Sequence, residues 1–242
     1  MNSDKPGKLT QEMILFEDNH LLVVAKPAGL PTMGAEKGHL SLLDLARDYI
    51  REKYRKPGNV YLGVVSRIDS FVSGVIVLAR TSKAASRLTE QFKAGSVKKN
   101  YYAILEGRLS KKFPQRSGRL ESWLRKNDRL RRVESFPREV PGSKRAELAF
   151  RIVDENDSHS LVDIDLLTGR KHQIRTQFSD LGFPVFGDRK YDAREHHKSR
   201  IALHAYRLVL QHPTLRENRA FMAPIPDAWH QQGNFPTLLE KI

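Results

Sequence analysis

The chain has 242 residues, 39% of them hydrophobic, which is enough to bury a substantial core, so we predict a folded protein rather than a disordered one. Its formal net charge of +14 favours a polyanionic partner, either a nucleic acid or an acidic membrane surface. No apolar stretch approaches the roughly 20 residues that span a bilayer, and the polar first residues lack the core of a secretory signal, so we expect a cytoplasmic protein. The absence of cysteine excludes disulfides, thiolate metal sites and cysteine nucleophiles.

The first third of the chain predicts two strands, a helix and a third strand. The apolar runs MILF and LLVVA flank a polar turn and indicate a strand pair. Ser41 and Asp44 have the spacing of a capping box at the start of a helix. The apolar residues of this helix share one face: Leu43, Ala46, Ile50 and Tyr54. The unbroken, β-branched run GVIVLA from Gly74 to Ala79 predicts a strand that is covered on both faces.

The rest of the chain predicts two helices with three strands between them. Ser82 is predicted to cap a helix that stops at Gly95, and the turn from Leu167 to Arg170 leads into a last helix that ends at Gly182. Three further strands are predicted at residues 101–105, 146–153 and 161–167.

No internal repeat or low-complexity linker interrupts the chain. We therefore expect a flexible tail over residues 1–12, followed by one domain over residues 13–242. The predicted fold class is α+β, with a mixed, mainly antiparallel sheet and flanking helices.

Residues 108–145, the basic segment, contain 13 Lys or Arg residues and four Asp or Glu residues, so they carry about +9 of the net charge. Such a concentration of charge is typical of a surface that contacts phosphates, and aromatic residues are interleaved with it for packing or stacking. The alternative is a solvated hairpin. The candidate phosphate contacts in this segment are Arg125, Lys126, Arg131 and Arg132.

Polar and charged residues precede the predicted buried strand, in the segment from Ser66 to Gly74. If residues 66–70 are extended, Arg67 and Asp69 point to the same side, and a cation and a carboxylate share one surface. A rigid strand is a good platform for a catalytic group. An aspartate beside serine and glycine is more often a residue that hydrogen-bonds within a turn, and the residues alone leave both interpretations open.

The segment SRIDSFVSGVIVLART resembles the signature of the RluA family of pseudouridine synthases, which is His-Arg-Leu-Asp, two variable residues, Thr-Ser-Gly and an apolar strand. Four further segments are similar to that family in the expected order. They are LLVVAKPAGLPT, KKNYYAILEG, LLTGRKHQIRTQFSDLGFPVFGDRKYD with IALHAYRLVLQHP, and APIPDAW. The resemblance covers the chain from Ile14 to Trp229, and it implies the pseudouridine synthase catalytic domain fold.

The resemblance also implies roles for individual residues. Asp69 matches the catalytic aspartate, and Arg175 matches its basic partner. Tyr101 matches the active-site tyrosine, and Arg67 matches the arginine that fills the space left by a flipped nucleotide. Two cations and a histidine at the predicted start of the last helix are candidate phosphate contacts, with a simple helix cap as the alternative: Arg170, Lys171 and His172. Asp188, in the segment Phe186-Gly187-Asp188-Arg189, is expected to have a turn role.

The resemblance implies an isomerase that converts uridine to pseudouridine in ribosomal or transfer RNA, with no cofactor and no metal. The histidines lack a convincing metal-ligand spacing, and we expect a monomer. Ser66 and Val72 stand where the family usually has histidine and threonine, which removes hydrogen-bonding groups near Asp69. The alternative is therefore a catalytically silent RNA-binding or ribosome-assembly protein on the same fold. A metal-dependent nuclease is disfavoured because the chain has no acidic cluster.

Overall fold

The computed structural model describes residues 7–34, 39–195, 200–230 and 239–240. The strands in this part of the chain are β1 (Ile14–Glu17), β2 (Leu21–Lys26), β3 (Gly63–Val64), β4 (Ser73–Ala79), β5 (Lys98–Glu106), β6 (Ser117–Asn127), β7 (Arg132–Phe136), β8 (Lys144–Glu155), β9 (His159–Leu166), β10 (Leu203–Gln211) and β11 (Asn218–Met222). The helices are α1 (Leu42–Lys53), α2 (Ser82–Lys93), α3 (Gln173–Asp180) and α4 (Asp227–His230). Among the described residues, no helix is both long and apolar enough to cross a bilayer.

The chain forms two compact units. The first unit runs up to Lys98 and includes Ala205–Pro224, and the second comprises Lys99–His204 with the described residues from Ile225 onward. The predicted α+β class with a mainly antiparallel sheet is confirmed. The single domain over residues 13–242 stays a prediction. Of the expected tail over residues 1–12, residues 1–6 lie outside the described residues, whereas Leu9 is buried in the core of the first unit.

In the first unit the strand order is β1-β2-β4-β10, with β3 paired to β4 and β11 to β10. Strand β4 is buried along its whole length, as predicted for GVIVLA. Its even-numbered residues Ile76 and Leu78 pack in one core cluster with residues of α1, and its odd-numbered residues Val75 and Val77 pack in a second cluster with residues of α2. Because successive strand residues point to opposite faces, a strand between two helices is apolar without interruption.

The helix starts follow from local hydrogen bonds. The capping box predicted for α1 is present, since the Ser41 hydroxyl accepts from the Asp44 amide and the Asp44 carboxylate accepts from the Ser41 amide. The prediction that Ser82 caps α2 is wrong by one residue. The cap is Thr81, whose hydroxyl accepts from the Ala84 amide. Both residues carry a hydroxyl and are adjacent, so their sequence does not decide which one adopts the extended cap conformation.

In the second unit the strand order is β5-β9-β8-β6-β7. The predicted strands at 101–105, 146–153 and 161–167 correspond to β5, β8 and β9. The basic segment contributes β6 and β7, which form an antiparallel hairpin, and β6 also pairs with β8. Helix α3 buries Ile174 and Phe178, and the Phe178 ring makes an edge contact with the Phe150 ring on β8.

Candidate active site and RNA interface

Asp69 lies in a turn that immediately precedes the buried strand β4. Strand β3 ends at Val64, so residues 66–70 are outside any strand, and the alternation expected for an extended segment does not apply to them. We call residues 66–72 the Asp69 turn. Asp69 is half-buried, Arg67 is exposed, and Val72 is buried at the start of the core. The turn therefore joins a solvent-accessible segment to a rigid strand.

Three consecutive backbone carbonyls of the Asp69 turn accept hydrogen bonds. The Thr32 hydroxyl donates to the Ile68 carbonyl at 3.0 Å, and the Val72 amide donates to the Asp69 carbonyl at 3.1 Å. The Gly29 amide donates to the Ser70 carbonyl at 2.7 Å. Since each peptide plane on both sides of Asp69 is held, its Cα position is fixed by the backbone rather than by its own side chain.

Lys26, at the end of β2, completes this arrangement from within the core. Its side chain is buried, and its ammonium donates to the carbonyls of Pro27, Leu30 and Ser70 at 2.9, 2.7 and 3.2 Å. Burial lowers the pKa of Lys26 to about 7, an effect that the negative charge of Asp69 opposes. Sequence reasoning assigned no role to Lys26 beyond its place in the segment LLVVAKPAGLPT. The available signal is a cation at the end of an apolar strand, which needs partners if it is buried.

The backbone just after the Asp69 turn requires glycine at position 74. Its φ of +126° is unfavourable for any residue with a side chain, and a Cβ at this position would lie 2.2 Å from the Ala205 carbonyl oxygen on β10. Strand β4 therefore approaches the β10 backbone closely just after Asp69. Only glycine permits both the backbone conformation and the approach.

The other two predicted catalytic residues belong to the second unit. Tyr101 is half-buried on β5, opposite Ile164 of β9. Arg175 is buried on α3, and its Nε and Nη2 donate to the two carboxylate oxygens of Asp188 at 2.6 and 2.8 Å. The roles of Tyr101 and Arg175, including the partnership of Arg175 with Asp69, stay predictions.

Asp188 has more than the turn role expected for it. Its backbone does form turns, with its carbonyl accepting from Tyr191 and Ala193. Its carboxylate, however, is buried and forms the bidentate ion pair with Arg175, a geometry that fixes the plane of the guanidinium. The Tyr191 ring lies next to the same guanidinium, with the Arg175 Cζ 4.9 Å from the ring centroid. The sequence offers no signal for a contact between a helix and a turn 13 residues later.

Many cations of the basic segment have a carboxylate partner within the protein. Arg125 lies 3.5 Å from Glu134 and stacks over the Phe136 ring, Arg132 lies 3.1 Å from Asp192, and Lys126 pairs with Asp128. Three of the four candidate RNA contacts are therefore partly neutralised, and the fourth, Arg131, is exposed at the hairpin tip with a φ of +51°.

Six cations of the basic segment are exposed and have no carboxylate partner among the described residues: Lys111, Lys112, Arg129, Arg131, Arg138 and Lys144. An exposed cation without a partner keeps its full charge for a phosphate. Leu130, between Arg129 and Arg131, is also exposed. This surface can contact a polyanion, which agrees with the interpretation of the basic segment as phosphate-contacting, although its RNA contacts stay a prediction.

The residues before α3 form a second positive area in this unit. Arg170 and Lys171 are exposed, and the Arg170 Nε donates to the Arg145 carbonyl at 2.9 Å, which orients its side chain towards the basic segment. Burial lowers the pKa of the neighbouring Lys99, Asp165 opposes that change, and the positive charge of Arg170 adds to it. His172 is half-buried, so it is less accessible to a phosphate than the two cations.

Comparison with known proteins identifies the family. Residues 20–180 match the model of a family described as RNA pseudouridylate synthase. The chain is 35% identical over 219 residues to an uncharacterized RNA pseudouridine synthase, YhcT, of Bacillus subtilis, covering 88% of this chain and 68% of that protein. It is 30% identical over 222 residues to ribosomal large subunit pseudouridine synthase C of Vibrio vulnificus, covering 89% of this chain and 66% of that protein. The chain thus spans about two thirds of the length of these relatives.

Solved structures agree with the sequence comparison. The structure of human RNA pseudouridylate synthase domain containing 4 has a TM-score of 0.74 at 23% identity, covering 94% of this chain and 92% of that one, which shows the fold. The structure of human RNA pseudouridylate synthase domain containing 1 has a TM-score of 0.71 at 26% identity, covering 92% and 86% of the two chains. The family model, the relatives and the fold agree, and the chain belongs to the RNA pseudouridylate synthase family of isomerases.

Proposed function

We propose that this chain isomerises uridine to pseudouridine in ribosomal or transfer RNA, with Asp69 as its catalytic carboxylate. The observation that carries the proposal is the Asp69 turn, in which three consecutive carbonyls are held by hydrogen bonds in a chain of this family. A catalytic group needs to be held within about 0.5 Å of its productive position, and a fixed backbone provides this.

The reaction breaks the bond from ribose C1′ to base N1 and forms a bond from C1′ to base C5. The base rotates between the two steps, N1 gains a proton, and C5 loses one, so the product has the mass of the substrate. A carboxylate can assist by attacking the ribose, by attacking the base or by removing a ribose proton to give a glycal. Each of these routes uses Asp69 in its ionised form, and none of them consumes a redox cofactor.

The remaining site residues have separate roles in this proposal. Arg175 favours the ionised carboxylate of Asp69 by charge attraction. Tyr101 supplies an aromatic face for the uracil ring and a hydroxyl for the final deprotonation at C5. Arg67, exposed at the start of the Asp69 turn, fills the space that the target nucleotide leaves when it rotates out of its stack, which lowers an unstacking cost of a few kcal/mol.

Ribosomal RNA is the first substrate to test, because a relative at 30% identity is named a ribosomal large subunit pseudouridine synthase. The exposed cations of the basic segment, with Arg170 and Lys171, would contact its phosphates. We further propose that the protein acts in the cytoplasm as a monomer. Size-exclusion chromatography of the purified protein with light scattering tests the oligomeric state.

The proposal is tested by mapping pseudouridine in cellular RNA that lacks this modification. The RNA is incubated with wild-type protein, with Asp69→Asn, or with Asp157→Asn, a control at a fully exposed aspartate in the other unit. Carbodiimide labelling and primer extension then locate the product. We expect a new site with the wild type and the control and none with Asp69→Asn. An equal signal with Asp69→Asn would overturn the role of Asp69.

The alternative function is a catalytically silent RNA-binding or ribosome-assembly protein. Two observations favour it: Ser66 and Val72 replace the usual histidine and threonine, and the buried side chain of Val72 has no group that can form a hydrogen bond with the turn. This alternative predicts RNA binding that Asp69→Asn leaves unchanged and no pseudouridine with any of the three proteins. Retention of Asp69, Tyr101 and Arg175 is the reason to prefer the active enzyme.

A further inference from the structure

Tyr191 is fully buried in the second unit, and its ring contacts both a candidate catalytic residue and a residue of the basic segment. Its ring centroid lies 4.9 Å from the Cζ of Arg175 and 5.2 Å from the Cζ of Arg132 on β7. Each contact is a cation–π interaction, worth up to about 2 kcal/mol when water is excluded. One aromatic ring thus contacts a candidate catalytic arginine and an arginine of the basic segment.

The Tyr191 hydroxyl fixes the ring in place. The Val133 amide of β7 donates to it at 2.9 Å, and the His172 Nδ1 lies 2.7 Å from it. Burial raises the pKa of Tyr191, so the phenol stays protonated and can donate to His172 while it accepts from Val133. Strand β7 is at the end of the strand order of this unit, so an amide that points away from β6 pairs with no other strand in the described part of the chain. The hydroxyl of Tyr191 takes the place of that missing strand at Val133.

Residues on either side of Tyr191 in sequence extend both connections. Asp188 holds the guanidinium of Arg175 through two hydrogen bonds, and Asp192 forms an ion pair with Arg132 at 3.1 Å. The five residues from Asp188 to Asp192 therefore connect helix α3 with strand β7. A movement of β7 displaces Tyr191, and Tyr191 is packed directly against the group that Asp188 orients.

We infer that Tyr191 is a positioning residue for Arg175: its ring holds the guanidinium, and its hydroxyl ties that ring to β7 in the basic segment. The inference rests on the proposed function for its catalytic consequence, since it assigns to Arg175 the role given there. According to this inference, RNA that contacts the basic segment gains affinity and also stabilises the position of Arg175. When phosphates hold β7, they also hold the ring that orients Arg175.

Two substitutions separate the hydroxyl from the ring. Tyr191→Phe keeps the ring and leaves the buried Val133 amide without its acceptor, and Tyr191→Leu also removes the ring. The matched control is Tyr49→Phe in the first unit, which loses a hydroxyl that donates to Glu17 at 2.8 Å and has no contact with Arg175. The three variants and the wild type are compared on the same in-vitro transcribed large-subunit ribosomal RNA.

The first readout uses the protein alone and does not depend on activity. Hydrogen exchange by NMR is measured at the Val133 amide and at the Arg175 Nε–H. We expect Val133 to exchange at least about 10-fold faster in both Tyr191 variants. We expect Arg175 Nε–H to exchange faster in Tyr191→Leu and to be unchanged in Tyr49→Phe. Unchanged exchange at Arg175 in Tyr191→Leu would overturn the positioning role, whether or not the protein is an active synthase.

The second readout is the single-turnover rate constant at saturating protein together with the Kd for the RNA. For Tyr191→Phe we expect a rate constant about 10-fold lower and a Kd within twofold of the wild type, and for Tyr191→Leu a larger loss of rate. When Arg175→Lys has already removed the guanidinium, adding Tyr191→Phe should lower the rate constant little further, because Tyr191 acts through that guanidinium. If Tyr191 had only a structural role, its variants would have a lower melting temperature but the same rate constant as Tyr49→Phe. That result would contradict the inference. A wild type without activity overturns the proposed function, and the exchange measurement still decides the role of Tyr191.

Discussion

Around Asp69, three consecutive carbonyls and a buried lysine hold one short turn, whereas in the basic segment six exposed cations have no carboxylate partner among the described residues. The first arrangement depends on buried and partly buried hydrogen bonds, which salt screens little. The second depends on exposed charges, which salt screens strongly. The position of Asp69 and the affinity for RNA therefore have separate physical origins in this chain. A change in either region should leave the other function nearly intact, except where it alters the contacts of Tyr191 with β7.

The largest effect on stability is expected for Lys26→Met. The substitution leaves the buried carbonyl of Leu30 and the half-buried carbonyl of Pro27 without their donor, and an unsatisfied buried group costs about 1–3 kcal/mol. We expect the free energy of unfolding to fall by about 2–4 kcal/mol at pH 7. Urea denaturation measures this, with the exposed Lys83→Met as the control. A loss no greater than that of the control would show that Lys26 does not hold the turn.

The same pair of proteins tests the pKa of Lys26. Its pKa is about 7 in the folded protein and near 10.5 when unfolded, so between these values the unfolded chain binds more protons. The free energy of unfolding of the wild type, relative to Lys26→Met, should therefore rise with pH by up to about 1.4 kcal/mol per unit between pH 7 and pH 10. Denaturation curves at pH 7, 8 and 9 measure the slope. Parallel pH dependence of the two proteins would contradict the lowered pKa.

The next effect is on RNA affinity and belongs to the basic segment. The double variant Arg129→Gln with Arg131→Gln removes two cations without a carboxylate partner, and if each contacts a phosphate the slope of log K against log salt should become shallower by nearly 2. The matched control is Arg119→Gln with Arg145→Gln, which removes the same charge from two residues paired with Glu147 at 2.7 and 3.1 Å. Fluorescence anisotropy at several salt concentrations gives both slopes. Equal slopes for the two variants would show that pairing does not decide which cations bind RNA.

The smallest effect is expected from loss of a single hydrogen bond to the Asp69 turn. Thr32→Val removes the hydrogen bond to the Ile68 carbonyl, and Thr89→Val removes a similar bond to the Ala85 carbonyl within α2. Each should lower the free energy of unfolding by about 1 kcal/mol. Only Thr32→Val should also slow pseudouridine formation at saturating RNA, because only it releases the backbone next to Asp69. Equal rates for the two variants would mean that this carbonyl contact does not position Asp69.

The sequence predicted the elements that hydrophobic pattern and local caps determine. The strand pair β1–β2, the capping box of α1 and the doubly covered β4 were all visible as short-range patterns. The exact cap of α2 was not, since Thr81 and Ser82 can both serve. The strands of the basic segment were not assigned, because charged residues on their exposed face conceal the alternation with Leu120, Ser122 and Leu124.

In the candidate site, the family resemblance pointed to Asp69, but the contacts that hold the Asp69 turn could be seen only in the structure. The contacts of Lys26 join a strand end to a turn 44 residues later, and the bond from Val133 to Tyr191 spans 58 residues. Pairings over such distances depend on how the elements pack, which local spacing does not encode. The partner of the Arg175 guanidinium in the second unit, Asp188, was missed for the same reason.

The proposed function requires that Asp69 performs the chemistry and that RNA affinity arises elsewhere. Its most direct test measures tritium release from RNA labelled at uracil C5, since C5 loses its proton in the reaction, with the Kd measured on the same RNA. With saturating protein, we predict release by the wild type, a loss of at least about 10³-fold with Asp69→Asn, and Kd values within twofold of each other. Release by Asp69→Asn at the wild-type rate would contradict the catalytic role of Asp69.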